Sequence, residues 1–180
     1  PVDTVVVADD HFIGKSDAKV TVIEYADFQC PACKAFDPIV TAVAATYGDR
    51  VKFVYRYFPL VQIHQNAMLS AIAAEAAGKQ NKFWELKAVM FEKQEEWGSA
   101  LDAEAKILGY AAELGIDTAK MKTDMADAAV VDRVTRDLKE ANSIGLTGTP
   151  SFIINGQRVD TGKIAGVEAF SAYLDAELAK

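Results

Sequence analysis

The chain holds two cysteines, Cys30 and Cys33, with only Pro31 and Ala32 between them. On a helix that spacing sets the two Cβ atoms about one turn apart, within reach of a disulfide without large backbone movement. Cys30 follows an apolar run and opens a helical pattern. Unpaired peptide N–H groups and the positive end of the helix dipole there favour its thiolate. Pro31 suits the first helical position, where its missing N–H has no partner to lose. One thiol of low pKa with a shielded partner is the arrangement that reversible thiol–disulfide exchange requires. Two other readings compete. Zinc takes about four ligands, and only His11 and His64 are natural additions, at distances matching no usual spacing. The other is an inert buried pair, but a bridge closing so short a loop restrains the unfolded chain little. Redox chemistry is the expectation, with no metal and no cofactor.

The elements around the pair must bring it to the end of a sheet. Val20 to Ala26 is apolar on both faces, as a central strand is. Alternation puts Glu24 on one face with Val20, Val22 and Ala26, which makes it a buried carboxylate candidate. Asp27-Phe28-Gln29 reads as a turn. Phe36, Ile39, Val40, Val43, Ala44 and Tyr47 then share one helical face, with Pro38 inside it and Gly48 as its stop. Val51 to Phe58 alternates as a second strand, ended by Pro59. Thr4-Val5-Val6-Val7 reads as a short first strand, and Phe12 to Asp17 as a turn. From about Gln62 to Gly145 every segment reads as helix, with breaks at Gly78, near Gly98, at Gly115-Ile116-Asp117 and around Ala126. Trp84 and Trp97 are expected to pack this block, and His64 to be solvated at its start. After Pro150, Ser151 to Ile154, Asn155-Gly156 and Gln157 to Val159 form a hairpin signal, since Asn-Gly supplies both positive φ angles of the turn. A last helix carries Val167, Phe170, Leu174 and Leu178.

At 180 residues, 51% hydrophobic and 25% charged, the chain can bury one core or a core with an inserted subdomain. Its apolar stretches fall short of the ~20 residues a membrane helix needs. The net charge of −7, with basic residues scattered, argues against nucleic acid or anionic membrane as a partner. The chain opens on Pro1; removal of a signal peptide or trimming would give that start, and a removed signal peptide is the expectation.

The segment Val22-Ile23-Glu24-Tyr25-Ala26-Asp27-Phe28-Gln29-Cys30-Pro31-Ala32-Cys33 resembles the active-site segment of the DsbA-like thiol–disulfide oxidoreductases of the thioredoxin superfamily. Pro38, Gly148-Thr149-Pro150 and the helical block agree with that resemblance. It implies an α/β, thioredoxin-like fold with an all-helical insertion: residues 1–61 and 146–180 as a discontinuous thioredoxin-like domain, and 62–145 as the inserted helices. It implies Cys30 as nucleophile, Cys33 as resolving thiol and Glu24 as the buried acid moving protons at Cys33. Pro31 and Ala32 support the motif. Thr149 and a cis Pro150 would lie beside the sulfurs and pair with an extended substrate. The implied activity is donation of the Cys30–Cys33 disulfide to reduced or unfolded extracytoplasmic proteins. Reoxidation would fall to a membrane quinone-linked oxidase of the DsbB or VKOR type, and the chain would work as a monomer in the periplasm or outside the cell. Strongly oxidising members carry histidine where this chain has Ala32, and many carry an aliphatic residue where it has Thr149. A reductase or dedicated redox relay therefore stands as one alternative, and a binding or regulatory module without turnover as another.

Overall fold

The computed structural model describes residue 2 and residues 4–180; Pro1 and Asp3, in the 1–61 part expected of the thioredoxin-like domain, lie outside the described residues. The apolar run after Lys19 forms β2 (Val20–Ala26), and burial on both faces places it inside a sheet. β3 (Val51–Tyr57) pairs with it in parallel, setting Val22 against Phe53 and Glu24 against Tyr55. On the other side β4 (Ser151–Ile154) pairs antiparallel, with Phe152 opposite Glu24, and turns through Asn155-Gly156 into β5 (Gln157–Val159). Both turn residues have positive φ, 47° and 74°, as the Asn-Gly signal required.

The first strand lies elsewhere than expected. Residues 4–7 form no strand; β1 is His11–Ile13, antiparallel to the outer edge of β3. The Val7 N–H donates to the Asp10 carboxylate, and the Val5 carbonyl accepts from Arg56, so side chains take the groups a ladder would use. Gly14 then turns the chain at φ +90°, where an added Cβ would stand 2.2 Å from the Val51 carbonyl oxygen. Among the described residues the sheet order is β1-β3-β2-β4-β5.

α1 (Pro31–Tyr47) and α8 (Val167–Leu178) cover one face of the sheet, packing Val43, Tyr47, Phe170 and Leu174 on Val20, Val22, Phe53 and Phe152. Between β3 and β4 come α2 (Ala67–Gly78), α3 (Phe83–Glu92), α4 (Gln94–Trp97), α5 (Ala103–Glu113), α6 (Thr118–Met125) and α7 (Ala128–Ser143). Trp97, Leu86, Met90, Ile107 and Met121 form the centre of this block, and its core continues without a break to Phe28, Tyr55 and Cys33. The ends at Gly78, Gly98, Gly115 and Ala126 fall where the sequence puts them, and Asp117 caps α6 by accepting from the Lys120 N–H. The sequence sets Val131, Val134, Leu138 and Ala141 at helical spacing along α7, an aliphatic stripe, but the helix is less aliphatic than that. It buries Arg133 and Asp137, whereas Val131 is only half-buried. These charges are paired, as burial demands. Arg133 and Arg56 both donate to Asp10, and Asp137 accepts from the Tyr57 N–H.

Candidate active site

Cys30 is the N-cap of α1 and Pro31 its first helical residue, which puts Cys30 at the end of the helix where peptide N–H groups lack partners. Its own N–H donates to the Asp27 carbonyl at 3.0 Å, closing the turn that β2 must make before the helix can start. Cys30 is 7% exposed, while Cys33, one turn inside, is fully buried against the helical block. Both thiols are free. Their chemistry diverges accordingly. The Cys33 thiol, hydrogen-bonded to Cys30, pulls the Cys30 pKa down to about 5 against partial burial, and the Thr149 side chain and the peptide N–H groups of Cys33 and Ala32 add to the effect. Burial pushes Cys33 well above the ordinary thiol range, and its bond to the Cys30 sulfur and the charges of Cys30 and Glu24 push it further. The Asp27 N–H, 3.5 Å from the Cys33 sulfur, acts in the other direction.

The loop before β4 closes the site from the side. Thr149–Pro150 is a cis peptide, and the Thr149 carbonyl accepts from Cys30 Sγ at 3.4 Å. Thr149 Oγ1 is buried with no partner at hydrogen-bond geometry among the described residues, yet it stands near enough to the Cys30 sulfur to help lower its pKa. Beside this loop runs a groove of about 360 Å³, lined by Phe58, Leu60, Val61, Ile63, Leu138 and Leu146. Val61 and Ile63, 51% and 72% exposed, are among its walls.

Glu24 is buried in β2, and burial raises its carboxyl to about 7; Lys87 opposes the rise and Asp37 adds to it. No hydrogen bond contributes to that balance. An open cleft of about 470 Å³ reaches it between α1 and α3, lined by Glu24, Asp37, Tyr55, Trp84 and Lys87. Lys87 and Asp37 form an ion pair along it. The Tyr55 hydroxyl is buried in the same place, without a partner among the described residues. A carboxyl poised at neutrality beside a buried thiol can take and return a proton.

The structure thus brings Cys30, Cys33, Glu24, Thr149 and Pro150 together, with Pro31 starting the helix and Ala32 exposed upon it. Several supporting residues escaped the sequence reading. His64 is not a solvated histidine: its Nδ1 lies 2.7 Å from the buried Asp27 carboxylate. Gln94 Nε2 donates to the carbonyls of Phe28 and Cys30 at 2.6 and 3.0 Å, and the Asn66 N–H donates to Gln29 Oε1. An aspartate ending a fully buried strand was the one local hint of such anchoring, since Asp side chains accept from the peptide two residues on. Among the described residues no cluster of three His, Cys, Asp or Glu is arranged to hold a metal ion.

A family model described as thioredoxin, Thioredoxin_4, matches residues 7–176. Among curated proteins the chain is similar to the Na(+)/H(+) antiporter NhaA 3 of Salinispora tropica, 37% identical over 149 residues, spanning 83% of this chain and 22% of that protein. It is similar in the same way to the Na(+)/H(+) antiporter NhaA of Herminiimonas arsenicoxydans, 37% identical over 150 residues, 83% of this chain and 23% of that protein. The chain therefore spans under a quarter of these relatives, and no helix among the described residues is long and apolar enough to cross a membrane. Of solved structures, a thioredoxin-like oxidoreductase from Silicibacter pomeroyi superposes with TM-score 0.76 at 26% identity, covering 96% of this chain and 92% of that one. BdbD from Bacillus subtilis in its oxidised form gives 0.79 at 25%, covering 94% and 92%. The alpha-DsbA1 of Wolbachia pipientis gives 0.81 at 20%, covering 97% and 94%, a likeness of fold.

Proposed function

The chain belongs to the thioredoxin superfamily as a DsbA-like member, and from that premise we propose that it is a thiol–disulfide oxidoreductase acting on proteins outside the cytoplasm. The observation that carries the reading is the split between the cysteines: Cys30, 7% exposed at the start of α1, held at about 5, and Cys33, fully buried one turn inside, held high. A client thiolate attacks the Cys30 sulfur of the Cys30–Cys33 disulfide, forming a client–Cys30 mixed disulfide and releasing Cys33 as a thiolate, which takes a proton from Glu24. A second client thiolate then attacks the client sulfur, closing the client's disulfide and expelling Cys30 as a stabilised thiolate. Two electrons pass to the enzyme and no cofactor takes part. An extended client segment would lie against the Thr149–Pro150 loop and the apolar groove beside it. A membrane quinone-linked oxidase of the DsbB or VKOR type would restore the disulfide.

The direction of exchange is read by the reduction potential. A thiol of about 5 falls between the thioredoxin value of ~7 and the DsbA value of ~3.5. An oxidase should sit nearer ~−120 mV than ~−270 mV and refold reduced ribonuclease. Ala32 and Thr149 motivate the second reading, a reductase or dedicated relay, which a potential near ~−270 mV would establish. Failure of any exchange with a model dithiol would leave a thioredoxin-like binding module.

A further inference from the structure

Asp27 holds more of the site than any other residue outside the cysteine pair. Its carbonyl accepts from the Cys30 N–H, and its own N–H donates to the Cys33 sulfur. Its buried carboxylate accepts from the Gln29 N–H at 2.8 Å and from the Leu60 N–H at 3.0 Å. Its remaining bond is with His64, whose Nδ1 stands 2.7 Å from the same carboxyl oxygen that the Leu60 N–H reaches, the place for an Nδ1–H donor to a carboxylate acceptor. His64 itself is fixed between the β3–α2 loop and the start of α2: its N–H donates to the Leu60 carbonyl and its carbonyl accepts from Ala67. A single residue thus ties the helical block, through its side chain, to both cysteines, through its peptide.

We propose that His64 is a positioning residue which, by locking the Asp27 carboxylate, aims the Asp27 N–H at the Cys33 sulfur and so speeds the step in which Cys33 reacts. This rests on the exchange reaction proposed above and adds a residue to it. When the reduced protein meets a disulfide, the Cys30 thiolate attacks first and expels one thiolate. The Cys33 thiol then gives its proton to Glu24, attacks the Cys30 sulfur of the mixed disulfide and expels the second. In either direction Cys33 passes through a thiolate that is buried and nearly without donors. A hydrogen bond to an ionised acceptor is about twice as strong as a neutral one, so the Asp27 N–H matters in that state and little while Cys33 is a thiol. Cys30 has its own donors at the helix start and does not share this one.

The two steps separate in one experiment. Reduced protein mixed with dithiobis(nitrobenzoate) releases a coloured thiolate in a concentration-dependent first phase, from Cys30, and in a concentration-independent second phase, from Cys33. His64→Ala should slow the second phase about tenfold, equivalent to ~1.4 kcal/mol at the transition state, and change the first less than about twofold. His64→Asn, whose amide stands where Nδ1 stood, should recover most of the second-phase rate; His64→Gln, carrying the same amide one methylene further out, should not. Should the alanine variant fail to fold, the Asn and Gln pair makes the same comparison. An unchanged second phase, equal slowing of both phases, or equal rates for Asn and Gln would overturn the inference. Wild-type protein without a second phase would instead remove the exchange reaction, leaving the two failures distinct.

Discussion

Glu24→Gln turns the buried acid into a measurable quantity. Burial holds this carboxyl at about 7, against an ordinary 4.5. Within that interval the unfolded chain gives up the proton and the folded chain keeps it. The protonated acid's contribution to stability is therefore whole below pH 4.5 and is lost as pH rises through 7. Each pH unit inside the interval removes up to ~1.4 kcal/mol. By pH 8 the wild type should have lost roughly 3 kcal/mol, and by pH 5 less than roughly 1 kcal/mol. Glutamine does not titrate, so the stability of the variant relative to wild type should grow by roughly 2 kcal/mol between pH 5 and pH 8. The penalty of burying an amide is the same at every pH and drops out of that difference. The titration of Cys30 near 5 is present in both proteins and drops out as well. Urea midpoints of the reduced proteins across this range give the difference, and in a chain of this size it corresponds to a melting shift of roughly 4–8 °C. Exchange with a model dithiol should slow in the variant and lose the part of its pH dependence that titrates near 7, keeping the part set by the dithiol's own ionisation. A stability gap that stays constant across the range would show that the carboxyl ionises at its ordinary pH, and the proton-transfer role would go with it.

The cysteine pair and the cis-proline loop give two further expectations. Alkylation of Cys30 should follow a thiolate titrating near 5, and Cys33→Ala, by removing the largest stabiliser, should move that inflection upward; preferential labelling of Cys33 in the wild type would reverse the assigned roles. Thr149→Val should raise the Cys30 pKa and make the potential more reducing, while the melting temperature barely moves, because the lost hydroxyl is buried and otherwise unpaired; an unchanged potential would remove Thr149 from the site.

Chemistry that depends on neighbours in the chain was legible. Cys30-Pro31-Ala32-Cys33 stands at the strand-to-helix junction its neighbours predict, and alternation alone buried Glu24. The Asn155-Gly156 turn and the break at Gly115 follow from backbone preferences that a single residue type satisfies. What escaped the reading depends on partners far along the chain. Nothing in residues 4–7 says that Arg56 will take the Val5 carbonyl and keep the segment out of the sheet. The stripe of α7 looked aliphatic because a buried Arg133 is unfavourable until Asp10 and Asp137 stand beside it. His64 looked solvated for the same reason, since its partner Asp27 lies 37 residues away.

Ala32 shows where the reactivity of Cys30 resides. Strongly oxidising members of the family the chain resembles carry histidine at this position, yet here Cys30 is held at about 5 without one. The groups that hold it are the Cys33 thiol, the Thr149 side chain and two peptide N–H groups of α1, none of which depends on the side chain at position 32. All of them depend on where the start of α1 sits against the loop before β4. That placement comes from the inserted helices: Gln94 from α4 fills two buried carbonyls of the loop, Asn66 fixes Gln29, and His64 fixes Asp27. The Cys30 carbonyl also accepts from the Lys34 N–H, but leaving the Phe28 carbonyl bare costs about 1–3 kcal/mol, enough to redraw the loop before it would unfold the domain. The Cys30 pKa thus rests in part on residues that never touch the sulfur but fix the backbone around it, and a substitution such as Gln94→Ala should shift that pKa while every residue of the cysteine motif stays the same.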